Sequence, residues 1–185
     1  MKFKKFYFKN VNSTNDIAIK LIKKTNNKFG VIVADKQKKG RGRFGRKWIS
    51  YKGNLFVSLF FSLEKINLTL KQLTKVNCLL IKKLLSYYYK NKISIKHPND
   101  LFINKRKICG ILQEAITKAN VNYFIVGVGI NLVKSPIVNK YPTISILELT
   151  KKNVSKKKII FDLVSLYENF INKFSRSNLK SIKNL

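Results

Sequence analysis

The stretch VADKQKKGRGRFGRKWIS, Val33–Ser50, sets three glycines (Gly40, Gly42, Gly45), three arginines (Arg41, Arg43, Arg46) and the single tryptophan, Trp48, between two apolar runs with strand character. Glycine at every second or third position removes the β-carbons that would hold a ligand off the backbone and permits positive φ. Such a loop can wrap an anion. Arginine supplies a planar fork that matches phosphate or carboxylate, a geometry lysine lacks. Five arginines stand against 34 lysines in the chain, the other two being Arg106 and Arg176, so arginine has been kept mainly here. Arg-Gly-Arg also occurs in basic arms that enter A·T-rich minor grooves. Here, however, Phe44 stands where such arms usually have proline, and the loop lies inside a folded pattern. Ordering its residues costs about 1–2 kcal/mol each, which predicts a loop that is mobile when free and closes as a lid over ligand.

Working outward, Phe29–Ala34 and Leu55–Leu63 read as the strands flanking the loop, the second (LFVSLFFSL) apolar on both faces. Phe3–Lys9 alternates as a strand and runs into Ser13-Thr14-Asn15-Asp16, which can cap a helix carrying Ile17, Leu21 and Ile22. Thr69–Lys90 repeats apolar residues at helical spacing, with Tyr87-Tyr88-Tyr89 at its end as core and rim packing. Ile93–Lys96 is a short strand stopped by Pro98. Leu101–Ile103 and Lys107–Thr117 form a hairpin across Asn104-Lys105-Arg106, and a short turn at Lys118–Asn120 leads into the strand Asn122–Gly129. A final helix presents Ile159, Ile160, Leu163, Val164, Tyr167, Phe170, Ile171 and Phe174 on one face, after a solvated charge run at Lys151–Lys158. Strands in hairpins with helices between them predict an α+β fold, a mixed and largely antiparallel sheet flanked by helices, not a doubly wound parallel one. A chain of 185 residues supports one domain, 1–185.

Three further stretches accompany the loop: Val11-Asn12-Ser13-Thr14-Asn15; Lys96-His97-Pro98-Asn99-Asp100-Leu101 with Arg106-Lys107-Ile108-Cys109-Gly110-Ile111-Leu112-Gln113-Glu114; and Gly127-Val128-Gly129-Ile130-Asn131. In this order and at these separations they resemble the biotin protein ligases, with their Ser-Thr-Asn start, GRGRxGRxW loop, KWPND-type segment with a downstream RK..GIL.E, and G.GIN strand end. The resemblance covers Val11–Asn131 closely. It implies the fold of biotin ligases, related to class II aminoacyl-tRNA synthetases and lipoate ligases. It also implies that ATP activates biotin to biotinyl-5′-AMP, releasing pyrophosphate, and that biotin then passes to a lysine of a biotin carboxyl carrier protein of acetyl-CoA carboxylase or a similar carboxylase.

The resemblance assigns residues as follows. Ser13, Thr14, Asn15, Gln37, Gly40, Arg41, Gly42, Arg43, Lys107 and Gly110 would hold biotin, the hydroxyls of Ser13 and Thr14 serving its ureido ring, a task compatible with capping. Gln37 has the alternative of a solvated polar residue. Arg43, Arg46, Lys47, Trp48, Asn99, Lys107, Gly129 and Asn131 would hold ATP and the adenylate, with Trp48 either beside the adenine or anchoring the loop base. Lys107, Arg43 and Asp100 would be catalytic: Lys107 as a point charge reaching both carboxylate and α-phosphate, Arg43 pinning the phosphate end, Asp100 orienting or deprotonating the acceptor lysine. Mg²⁺ would accompany ATP near Asn99 and Asp100, with no metal ligand set among the side chains. His97, in place of the usual tryptophan, is a packing or rim residue that also offers a titrating group. The chain ends at Leu185, so the small C-terminal β-rich module of many biotin ligases is not expected, and with only a strand's worth of residues before Ser13 no helix-turn-helix is expected there.

The formal net charge of +31 suggests nucleic acid or an anionic surface, but the lysines are spread along the chain with many Asn and Ile, as coding bias would spread them, and no specific DNA binding is expected. Cys78 and Cys109 form no CxxC and read as buried thiols in a reducing compartment. No signal peptide or membrane-length apolar run is present. The expected location is the cytoplasm, with no membrane association and a homodimer left open. The rival readings are a lipoate or octanoate ligase on the same fold, against which GRGRFGRKW argues, and a basic nucleic-acid-binding protein without catalysis.

Overall fold

A computed structural model describes residues 1–176. The elements in chain order are β1 (Lys4–Val11), α1 (Thr14–Lys24), β2 (Phe29–Gln37), β3 (Leu55–Ser62), α2 (Leu70–Ser86), β4 (Ser94–Lys96), β5 (Asp100–Ile103), β6 (Arg106–Lys118), β7 (Val121–Ile130), α3 (Ile146–Thr150) and α4 (Lys156–Arg176). The strands form one seven-stranded sheet in the order β1-β2-β3-β7-β6-β5-β4. Only β1 and β2 run parallel, joined through α1; every other pair is antiparallel. The α+β sheet expected from the hairpin pattern is the one observed.

Helices cover both faces, which explains why β3 is apolar at six of its eight positions. Its odd residues Leu55, Val57, Leu59 and Phe61 join α2 and α4 in the main core, with Leu73, Ile81, Leu84, Leu163 and Tyr167. On the other face Phe60 meets Ala18 and Ile22 of α1 together with Ile32 and Ile125. Period-2 alternation then leaves Ser58 on the α1 face, where it meets the start of that helix. All eight β3 residues are buried.

Both hairpin turns lie where the sequence placed them. Asn104 and Lys105 have φ of 49° and 60°, and Ala119 and Asn120 have 46° and 61°, the paired positive values of a type I′ turn. α2 ends at Ser86, short of the expected Lys90, because the N–H groups of Tyr88 and Tyr89 both return to the Leu85 carbonyl and close the helix. The packing role of the tyrosines holds for Tyr88, whose hydroxyl donates to Asp162 at 2.5 Å and ties α2 to α4. α3 is too short for periodicity to reveal, yet Ser145 and Glu148 form a complete capping box around its first turn. Cys78 and Cys109 are buried free thiols. Among the described residues no helix is long and apolar enough to cross a membrane.

Candidate active site

The start of α1, the loop after β2, and the facing parts of β5, β6 and β7 enclose a cleft of about 330 Å³. That size suits one small ligand. Of the residues expected from sequence, Ser13, Thr14, Asn15, Gln37, Arg41, Gly42, Arg43, Arg46, Lys47, Trp48, Asn99, Asp100, Lys107, Gly110 and Gly129 line it. Gly40 and Asn131 do not. Gly40 is buried behind the loop, its carbonyl accepting from the Trp48 N–H. Asn131 is 1% exposed, donating its side-chain amide to Ile144 O and its backbone N–H to Ile108 O. It lies behind the cleft wall, and its Oδ1 has no hydrogen-bond partner among the described residues.

One end of the cleft is polar and neutral. Ser13 is the N-cap of α1 but makes no capping bond with its side chain; Gln37 Oε1 instead accepts from the Thr14 N–H at 2.8 Å and its hydroxyl at 3.1 Å. Ser58 Oγ lies 2.7 Å from Thr14 Oγ1 and 2.5 Å from Asn15 Oδ1. Asn15 Nδ2 donates to Glu114 Oε2 at 2.6 Å. Gly127 leaves the room for this: a β-carbon there would strike the Asn15 amide.

The glycine–arginine loop is a miniature hairpin. Gly42 N–H donates to Arg46 O, Trp48 N–H to Gly40 O, and Arg41 bridges Lys47. Its turn holds Phe44 at φ 55° and Gly45 at φ 70°, and the Phe44 side chain stands outside at 80% exposure. Arg41 anchors the hairpin with a bidentate pair to Glu114 and a 2.8 Å contact to Asp16. The Glu114 hydrogen bonds push its guanidinium pKa further up against partial desolvation. Trp48 packs against the glycine pair Gly110 and Gly129, which face each other in the β6–β7 register. A β-carbon at either would come within 2.7 and 2.5 Å of the indole. Trp48 thus packs at the loop base and, half-buried, also lines the cleft.

The other end is cationic. Lys107, 8% exposed, holds Asp100 Oδ2 at 2.8 Å, with Arg43 Nη1 3.4 Å from Asn99 Oδ1. A β-bulge places Lys107 there. β5 and β6 slip register so that Leu101 faces Cys109 and Phe102 faces Lys107. The extra residue sends Ile108 and Cys109 both into the core and turns Lys107 to the cleft side, beside Gly110, a re-aiming that bulges commonly perform.

Four buried polar side-chain atoms lack a hydrogen-bond partner among the described residues, and three belong to cleft residues: Arg41 Nε, Trp48 Nε1 and Asp100 Oδ1. Such orphans concentrate at functional sites. No group of three His, Cys, Asp or Glu among the described residues could hold a metal. Sequence reasoning gave no site role to Glu114, Asp16, Ser58 and Tyr141. Glu114 could have been found, being one of only eight acidic residues and lying in the motif; nothing local marks Tyr141. The others in that set are paired as well: seven carboxylates form ion pairs, and Glu168 accepts from the Phe3 N–H. The exterior field is therefore set by lysine. His97 is exposed at the rim.

The mixed seven-stranded sheet with its helices matches the catalytic fold of biotin protein ligases. The structure is similar to the biotin protein ligase of Aquifex aeolicus in complex with biotin and ATP, with a TM-score of 0.78 and 30% identity over 95% of this chain and 73% of that one. The chain belongs to the biotin/lipoate A/B protein ligase family, whose model matches residues 7–131. It is 35% identical over 114 residues to the bifunctional ligase/repressor BirA of Escherichia coli, covering 58% of this chain and 36% of that protein. Against biotin–protein ligase 2 of Arabidopsis thaliana the identity is 33% over 171 residues, 84% of this chain and 49% of the other. The chain thus spans half or less of the length of these curated relatives.

Proposed function

We propose that the chain is a cytoplasmic biotin–protein ligase. It joins biotin to the α-phosphate of ATP as biotinyl-5′-AMP and then transfers biotin to one lysine of a biotin carboxyl carrier domain. The observation that carries this reading is the ion pair of buried Lys107 with half-buried Asp100, in the cleft that the polar pocket and the arginine hairpin share. Joining an acid to an amine at neutral pH needs an activated acid, and activation means bringing a carboxylate and a phosphate together. A half-desolvated ammonium between their two subsites offsets that repulsion where it is largest.

In this scheme Ser13, Thr14, Asn15 and Gln37 bind the ureido end of biotin. The carboxylate oxygen attacks the α-phosphorus, an O–P bond forms, and the bond to pyrophosphate breaks while Lys107 and Arg43 neutralise the accumulating charge. Trp48 and Arg46 contact the nucleotide, with the glycine–arginine hairpin excluding water from the adenylate. In the second step the neutral acceptor amine attacks the acyl carbon and AMP leaves; Asp100 receives or directs the released proton. ATP is taken with Mg²⁺, which binds mainly through phosphates and water with one or two carboxylates. The unpartnered Oδ1 of Asp100, beside Asn99, fits that demand, and the ion would supply further neutralisation of phosphate charge.

The test is transfer. Incubated with biotin, Mg²⁺-ATP and a biotin carboxyl carrier domain, the protein should add one biotin to the acceptor, read as a mass shift. The acceptor with its target lysine changed to arginine should stay unmodified. Modification of that arginine variant, or of neither acceptor, contradicts the reading.

A further inference from the structure

Lys107 carries its charge on a four-carbon stem with three rotatable donors, so burial alone does not fix its ammonium. Three neighbours do. Asp100 Oδ2 lies at 2.8 Å, the Trp48 ring centroid at 5.5 Å and the Tyr141 ring centroid at 4.9 Å. Tyr141 comes from the segment between β7 and α3, far from the loop in sequence, and the backbone delivers it to this place. Lys107 N–H donates to Pro142 O at 2.8 Å and Ile144 N–H donates to Lys107 O at 3.0 Å, with Thr143 paired parallel to Lys107. Arg106 Nε adds a bond to Thr143 O at 2.9 Å. The segment is thus stitched to the residue whose side chain its tyrosine covers.

We propose that Tyr141 is a positioning residue for the adenylation reaction, its ring face forming with Trp48 an aromatic clamp on the Lys107 ammonium. The clamp rests on the ligase reading above. A ring face within about 6 Å attracts an ammonium through its quadrupole without occupying an N–H. The clamp therefore orients the cation and shields it from water while leaving its remaining donors for carboxylate and phosphate. Trp48 is committed to the Gly110–Gly129 seat as well; Tyr141 is the half of the clamp that can be changed without unseating the loop.

The experiment compares the parent with Tyr141→Leu and Tyr141→Phe, measuring biotin-dependent ATP–pyrophosphate exchange and the calorimetric affinity for biotin and for biotinol, which lacks the carboxylate. Tyr141→Leu should lower kcat for exchange about tenfold and weaken biotin several-fold, while biotinol binds as to the parent, which also shows that the variant is folded. Tyr141→Phe, which keeps the ring face, should restore exchange to within about threefold. Parent-like exchange in the leucine variant overturns the clamp, as does an equal loss of biotin and biotinol, or a phenylalanine variant as impaired as the leucine one. A parent that neither binds biotin nor exchanges with it overturns the ligase reading itself, and the clamp with it.

Discussion

Arg41 lays both terminal nitrogens against the carboxylate of Glu114, Nη1 on Oε1 and Nη2 on Oε2, each at 2.9 Å. The same carboxylate accepts from Asn15 at the start of α1. Glu114 thereby joins the neutral end of the cleft to the hairpin that closes it.

Loss of that joint should loosen both at once. Glu114→Gln retains the size but removes the charge that makes the bidentate pair strong. The expected result is a rise of about tenfold in KM for biotin and faster tryptic cutting between Lys38 and Lys47. In the parent, biotin plus ATP should slow cutting of that segment. Equal cutting rates with and without ligand would dismiss the lid role of the hairpin.

Trp48 is the only tryptophan, so its emission reports the loop base directly. Gly129→Ala puts a methyl where the indole lies, 2.5 Å away, closer than real contacts allow. The emission should shift to longer wavelength as the ring is displaced, and biotin-dependent exchange should fall at least tenfold. An unshifted spectrum with parent activity would show that the glycine seat is not needed.

Asp100→Asn leaves a buried ammonium without its counter-charge, which is costly when one partner of such a pair is removed. Adenylate formation should slow about tenfold or more, and transfer from preformed biotinyl-5′-AMP should slow too if Asp100 handles the acceptor amine. Single-turnover measurements of the two half-reactions separate these effects. Parent rates in both would remove Asp100 from the mechanism.

Acid should release the segment that carries Tyr141. Burial alone would raise the Glu148 carboxyl, but the Ser145 N–H and the Ser135 hydroxyl, with Ser145 Oγ and Arg106, outweigh it and hold the pKa below the ordinary 4.5. A carboxyl depressed in the folded state contributes stability that is present above its unfolded value and lost as pH falls through the folded one. Melting temperature should therefore fall more steeply below about pH 4.5 in the parent than in Glu148→Gln. Parallel curves for the two proteins would contradict this.

Much of this site was legible because its parts are local. The loop announces itself by glycine spacing and by arginine in a chain of lysine, and Pro98 and the two polar turns fix where β4 to β7 begin and end. Lys107 was legible only through the residues around it, since one lysine among 34 carries no signal of its own. What could not be read depends on register and on distant returns of the chain. The bulge that turns Lys107 to the cleft is a slip between two strands, Gln37 takes over the cap from Ser13 by accepting from Thr14, 23 positions away, and Tyr141 reaches Lys107 through a parallel bridge of residues with no periodicity. Asn131 shows the converse: its motif is plain, but its side chain lies behind the cleft wall, donating to Ile144 O with Oδ1 left unpartnered.

The most direct test of the central claim is ATP–pyrophosphate exchange with biotin as the added acid, lipoate as the control and no acceptor protein present. The account predicts exchange with biotin, none with lipoate, and loss of the biotin signal in Lys107→Ala. Exchange with lipoate in place of biotin, or biotin-dependent exchange undiminished by Lys107→Ala, would contradict it.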